Sequence, residues 1–166
     1  ATTHESVENA ASYERLELLG DAVLEYVVAE YYYYRDPSVR INDFRRAKSR
    51  KPCNDALGTL CFYFHLHEAI AADDQDTRDG VVTGVAKVHD RMANGVRGWE
   101  QMNLPKVLGD TFEAVIGAIF VDAKFELLPV CEGLKRDATL SGLCSSKNPD
   151  LKPPVKSLLK PLDLFE

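Results

Sequence analysis

At 166 residues with 45% apolar side chains, the chain is long enough to bury a core in one domain and too apolar for wholesale disorder. No apolar run approaches the ~20 residues needed to cross a bilayer, so no membrane partner is expected. The net charge of −6 argues on its face against a nucleic-acid partner, but it averages over a basic stretch, RINDFRRAKSRK at 40–51, and a predominantly acidic one at 68–79.

The chain opens polar, ATTHESVENAAS, without a signal-peptide pattern and abruptly, as though more protein preceded it. A long helix is predicted over 13–34, with Leu16, Leu19, Val23 and Val27 at helical spacing, Ser12 as its N-cap and Pro37 beyond its end. The tyrosine run at 31–34 reads as helix-end packing rather than a base-stacking platform. A basic helix is expected from about Asn42, interrupted at Pro52, and a further helix over 53–72 carries Leu57, Leu60, Phe64 and Leu66. The acidic stretch 73–80 lacks periodicity and reads as a loop, and 81–98 is weakly helical. The strongest core helix is predicted over 105–122, led by Pro105, and one more amphipathic helix over 125–142. The fold class is therefore all-α, without internal repeats and with no segment that alternates as a strand. The domain is placed at 1–146, and 147–166, rich in proline, reads as a linker to something further on.

The cysteines, Cys53, Cys61, Cys131 and Cys144, form no C-x-x-C pair. They read as reduced, mostly buried thiols of an intracellular protein of the cytoplasm or nucleus.

Two acid-bearing helices carry the chemistry. In ERLELLGDAVLE, residues 14–25, four carboxylates face a single base, Arg15. At 100° per residue Glu17 and Asp21 stack on one line at the border of the apolar side, while Glu14 and Glu25 lie toward solvent. In KVLGDTFEAVIGAIFVD, residues 106–122, nearly every position is apolar or small except Asp110 and Glu113, at i and i+3. Ala114 and Gly117 continue that face, leaving open space beside the carboxylates and letting a helix approach. Carboxylates lining a core repel one another unless protonated or paired with a cation, and a hard divalent ion with oxygen ligands, magnesium above all, answers that need. Such a site suits phosphodiester hydrolysis. The competing reading, solvated acid pairs on helix faces, is weakened because both pairs border apolar stripes beside Gly or Ala.

ERLELLGDAVLE and PKVLGDTFEAVIGAIFVD resemble the two conserved helices of the ribonuclease III family, and THES at 3–6 is similar to the short segment that precedes the first. The long interval between the acid helices and PPVKSLL at 153–159 look most like the second such domain of a Dicer-type protein, where the linker leads into a double-stranded-RNA-binding domain. The resemblance implies an all-helical endonuclease that cuts double-stranded RNA with Mg²⁺, Mn²⁺ being a possible substitute, through a two-metal mechanism. Its products carry a 5′ phosphate and two-nucleotide 3′ overhangs. The partner it implies is a second ribonuclease III domain, in a homodimer or an intramolecular pseudo-dimer. The family's metal-site acids fall on Glu17, Asp21, Asp110 and Glu113. Dicer-type domains also place a lysine near the site, and Lys106 is adjacent in sequence. With Arg45, Arg46, Lys48, Arg50 and Lys51, it forms the candidate RNA-contacting set. Leu18 stands where the family commonly has Phe, a residue that inserts into the partner domain, and DAK at 122–124 stands where it often has Asp-Ser-Gly.

Two other readings compete. A non-catalytic module that only dimerises or binds RNA would be expected to lack some of the four acids, and all are present. An HD phosphohydrolase would use His89-Asp90, with His65, His67 and Asp110 as further ligands, and leaves the acid helices without a role. The Glu-x-x-His pattern of di-iron bundles and the register of an EF-hand loop are both missing.

Overall fold

The computed structural model describes residues 1–8, 10–35, 54–94 and 101–136. Its elements are α1 (Glu14–Arg35), α2 (Asn54–Tyr63), a 3₁₀ turn (Leu66–Ala69), α3 (Gln75–Ala93), α4 (Lys106–Asp122) and α5 (Leu127–Arg136). Among the described residues there is no strand; one isolated parallel bridge joins Thr3 to Ala71. The expected all-α class holds.

Helix α1 opens with Glu14 and Glu17 in its first turn, where carboxylates are favoured by the exposed backbone N–H groups. Tyr13, rather than the expected Ser12, supplies the first helical carbonyl, accepting from Glu17 N at 2.8 Å. The Ser12 hydroxyl instead donates to Glu14 Oε2 at 3.0 Å. Val23, Leu24, Val27 and Val28 are buried, Leu16 and Leu19 only partly, and Leu18 is 75% exposed.

The single helix expected over 53–72 is broken. Helix α2 ends at Tyr63, and His65 takes a left-handed φ of 58° before the 3₁₀ turn. The loop expected over 73–80 is instead the start of α3, with Asp74 as N-cap, its Oδ1 accepting from Thr77 N at 2.7 Å. Acids at a helix start need no apolar partner, because they satisfy its unbonded N–H groups, so a stretch without apolar periodicity still winds into helix. The helix expected to run to 98 is described to Ala93, and of 125–142 the part from Leu127 to Arg136. The basic segment with Arg45, Arg46, Lys48, Arg50 and Lys51, and the tail 147–166, lie outside the described residues.

Helix α4 runs through the middle. Val107, Leu108, Gly109, Thr111, Phe112, Ala114, Ile116 and Gly117 are all buried, as its nearly continuous apolar sequence requires. Thr111 satisfies its buried hydroxyl by donating to Val107 O at 2.7 Å. Around α4 the core gathers Val23, Leu24 and Val27 of α1, Leu57 and Cys61 of α2, Val88 of α3, and Val130 and Leu134 of α5. Cys61 and Cys131 are buried, and burial pushes the Cys61 thiol up to about 12, so it packs as a small apolar residue. Cys53 and Cys144 lie outside the described residues.

The pairing of α1 with α4 positions the site. At their crossing Gly20 faces the Glu113 carbonyl and Gly117 faces the Leu16 carbonyl, so closely that neither leaves room for a Cβ. The space expected beside Gly117 is therefore filled by the backbone of α1, and the two helices touch main chain to main chain.

Candidate metal centre

The crossing brings two acid-bearing faces together. Glu17 of α1 and Asp110 and Glu113 of α4 offer carboxylate oxygens that all lie within 4.8 Å of one another, each residue half-buried. Asp21, one turn beyond Glu17 on α1, is also half-buried, but its carboxylate falls outside this mutually close set. Three of the four expected ligands are thus gathered, and the fourth stands a helical turn along the same face.

Lys106 enters the site directly. Its Nζ donates to Asp110 Oδ1 at 2.7 Å and to Glu17 Oε1 at 3.1 Å, linking the first turn of α4 to α1. Burial alone would pull the Lys106 pKa down, but hydrogen bonds to Asp110 and Glu17, and their charges, outweigh it and hold it above the ordinary lysine value. Asp110 also rises above the ordinary carboxylate value, because of burial first; the Lys106 hydrogen bond opposes this and the Glu17 charge adds to it. The two shifts are compatible, since one ammonium shared by two carboxylates leaves negative charge over.

A cleft of about 490 Å³ opens on this group, lined by Tyr13, Glu17, Thr77, Pro105, Lys106 and Asp110 among others. Its potential is negative. The Tyr13 phenol is raised well above its usual range, by burial first and then by the charges of Asp110, Glu17, Glu5 and Glu14. Tyr13 was not singled out by sequence reasoning, although it stands four residues before Glu17, on the same helical line as Glu17 and Asp21. His4 also lines the cleft, held by its Nδ1 contact with Ser6 Oγ at 3.1 Å and by an edge-on contact with the Tyr13 ring.

The donor set fits a hard divalent cation. It consists of oxygens alone, carries excess negative charge and borders an open cleft where water can complete the shell. The rival ligands do not converge. His89 packs edge-on against Phe62, His65 pairs with Glu68 Oε1 at 2.9 Å, and neither belongs to a metal-capable group among the described residues.

Comparison with known structures places the fold. The nuclease domain of ribonuclease III from Campylobacter jejuni superposes with a TM-score of 0.59 at 23% identity, covering 85% of this chain and 82% of that one. The model of the Ribonuclease III domain matches residues 14–124, and the chain belongs to that family. Protein Dicer of Schizosaccharomyces pombe is 31% identical over 119 residues, which is 70% of this chain and 9% of that protein. Endoribonuclease Dicer homolog 2b of Oryza sativa subsp. japonica is 31% identical over 173 residues, 95% of this chain and 11% of that protein. Ribonuclease 3 of Blochmanniella pennsylvanica is 28% identical over 130 residues, covering 78% of this chain and 48% of that protein. The chain thus spans about a tenth of the length of the Dicer relatives it matches.

Proposed function

We propose that this domain is the catalytic part of an endoribonuclease that hydrolyses phosphodiester bonds of double-stranded RNA with Mg²⁺, or Mn²⁺ in its place. The observation that carries the reading is the convergence of Glu17, Asp110 and Glu113 at the α1–α4 crossing. Membership of the ribonuclease III family supports it, as do relatives named as Dicer and Ribonuclease 3.

When bound, the divalent ions supply Lewis-acid stabilisation of charge on the scissile phosphate and lower the pKa of the attacking water. Glu17, Asp110 and Glu113 would hold them from two helices, with Asp21 a turn further along the same face of α1. Lys106 offsets part of the negative charge of Glu17 and Asp110 and, beside the cleft, is placed to meet an incoming phosphate oxygen. Attack in line with the departing 3′ oxygen leaves a 5′ phosphate on the product. The residues of the basic segment, Arg45 to Lys51, contact the RNA backbone, since A-form duplexes are read by shape and phosphate. A second ribonuclease III domain cuts the opposite strand, giving two-nucleotide 3′ overhangs. Similarity to Dicer proteins over most of the chain favours a role in small-RNA processing. Cys61, a free and buried thiol, suits an intracellular, reducing compartment.

Asp110→Asn tests the site. It removes a ligand charge at nearly constant shape, so cleavage of a long RNA duplex in Mg²⁺ should fall by about a hundredfold or more while the fold persists. Cleavage at the parental rate would remove Asp110 from the site.

A further inference from the structure

The segment that leads into α4 is held in an unusual way. Gln101 and Asn103 adopt left-handed φ values of 63° and 49°, a region that asparagine enters readily and glutamine rarely does. An Asn-Asp pair at the start of α2 grips the residues that follow Gln101. The Asp55 carboxylate accepts three consecutive backbone N–H groups: Met102 N at 2.9 Å and Asn103 N at 3.1 Å on Oδ2, and Leu104 N at 2.7 Å on Oδ1. Beside it, Asn54 Nδ2 donates to Leu104 O at 2.7 Å, and Asn54 Oδ1 packs so closely on Gly109, the neighbour of Asp110 in sequence, that a Cβ there would clash with it. From the other side Lys87 Nζ donates to Asn103 O at 3.0 Å.

Charge-assisted bonds of this kind are about twice as strong as neutral ones. They fall two to four residues before Lys106. The far half of α4 is anchored separately, by the backbone crossing at Gly117 and by Phe112 and Ile116 in the core. A displacement of the entry segment falls first on the opening turns, which carry Lys106 and Asp110 and are seated by Val107 and Leu108, and reaches Glu113, whose carbonyl sits against Gly20, last.

We infer that Asp55 is a positioning residue: by gripping the backbone at 102–104, it sets where Lys106 and Asp110 stand against Glu17. The inference rests on the metal-dependent nuclease reading, and it concerns a residue that touches neither ligand nor substrate.

The test uses Asp55→Ala and Asp55→Asn in the full-length protein, with three readouts: Mn²⁺ binding by calorimetry without RNA, the kcat and KM for duplex RNA, and Tm. For Asp55→Ala, Mn²⁺ affinity and kcat should each fall by about 10- to 100-fold, the usual cost of losing a supporting partner behind a ligand. KM for RNA should change by less than about threefold, because no substrate contact is removed. Asp55→Asn keeps one acceptor oxygen and should fall between parent and Asp55→Ala. A folded variant with a lower Tm but parental Mn²⁺ affinity and kcat would show a merely structural clamp and overturn the inference. If Asp55→Ala does not fold, Asp55→Asn decides by the same criteria. Asp110→Asn, run alongside, separates the two claims. Its retention of cleavage would sink the nuclease site, while Mn²⁺ binding to the Asp55 variants still reports on positioning.

Discussion

Lys106 places one ammonium where two acids meet, 2.7 Å from Asp110 and 3.1 Å from Glu17, with three-quarters of its side chain exposed. In the cation-free site it does part of the work that a divalent ion would do, and the two compete for the same oxygens. Lys106→Ala should therefore tighten Mn²⁺ binding, measured by calorimetry, while lowering the stability of the metal-free protein by less than about 1 kcal/mol, because water screens an exposed ammonium. Weaker Mn²⁺ binding in that variant would mean that Lys106 organises the carboxylates more than it competes for them. Sequence reading named Lys106 only as an RNA contact and a neighbour of the acids. Its bond to Asp110 follows from helical spacing at i and i+4, but its bond to Glu17 spans 89 residues and depends on how the helices cross. Asp55 was out of reach for the same reason: its acceptors serve backbone 47 to 49 residues away, and nothing local marks a carboxylate as a clamp.

Helices with a sustained apolar stripe, α1 and α4, were legible almost to their ends, because burial dictates the pattern that reveals them. Helix α3 was half missed. Its first turns face solvent, and its start is encoded by polar chemistry, Asp74 capping Thr77 N. Asp74 also sits beside Ser6, whose Oγ accepts from Asp73 N, and His4, whose Nδ1 is 3.5 Å away, so the cap ties the N-terminal segment to α3. Hydrogen bonding from Thr77 lowers its pKa to about 2 against desolvation, with Ser6 and the nearby His4 adding to the effect. A carboxylate depressed in the folded state contributes stability that is complete above its unfolded pKa and lost as the pH falls through the folded one. Urea titrations should accordingly show Asp74→Ala less stable than the parent at neutral pH. The gap should narrow between pH 3.8 and about 2 and close below it. A gap that persists unchanged at the acid end would assign the cap's effect to shape rather than charge. The break at His65 had no such polar signature: a left-handed residue that is neither Gly nor Asn leaves little trace in sequence.

For the molecule as a whole, fold class and the pair of acid helices could be read from the chain because periodicity and acid placement are local. The convergence of three carboxylates, with Asp21 a turn away, is a property of the crossing and required the structure. Because those carboxylates are present together only when α1 and α4 are docked, a divalent ion should stabilise the folded state by mass action. Mn²⁺ at a hundredfold excess over its Kd should raise stability by about 2.7 kcal/mol, and Asp110→Asn should lose most of that gain in Tm. No Mn²⁺ effect on the parent would argue against a preformed site. The docking itself has a wider consequence. Where Gly20 and Gly117 let main chains meet, the spacing between the two acid-bearing faces is fixed by atoms that every amino acid shares. Side chains such as Val23, Leu24, Phe112 and Ile116 can then be exchanged for others of similar volume at some cost in stability, while the distance across the carboxylates stays put. The two glycines thereby free the interior to drift over generations without dragging the chemistry along with it.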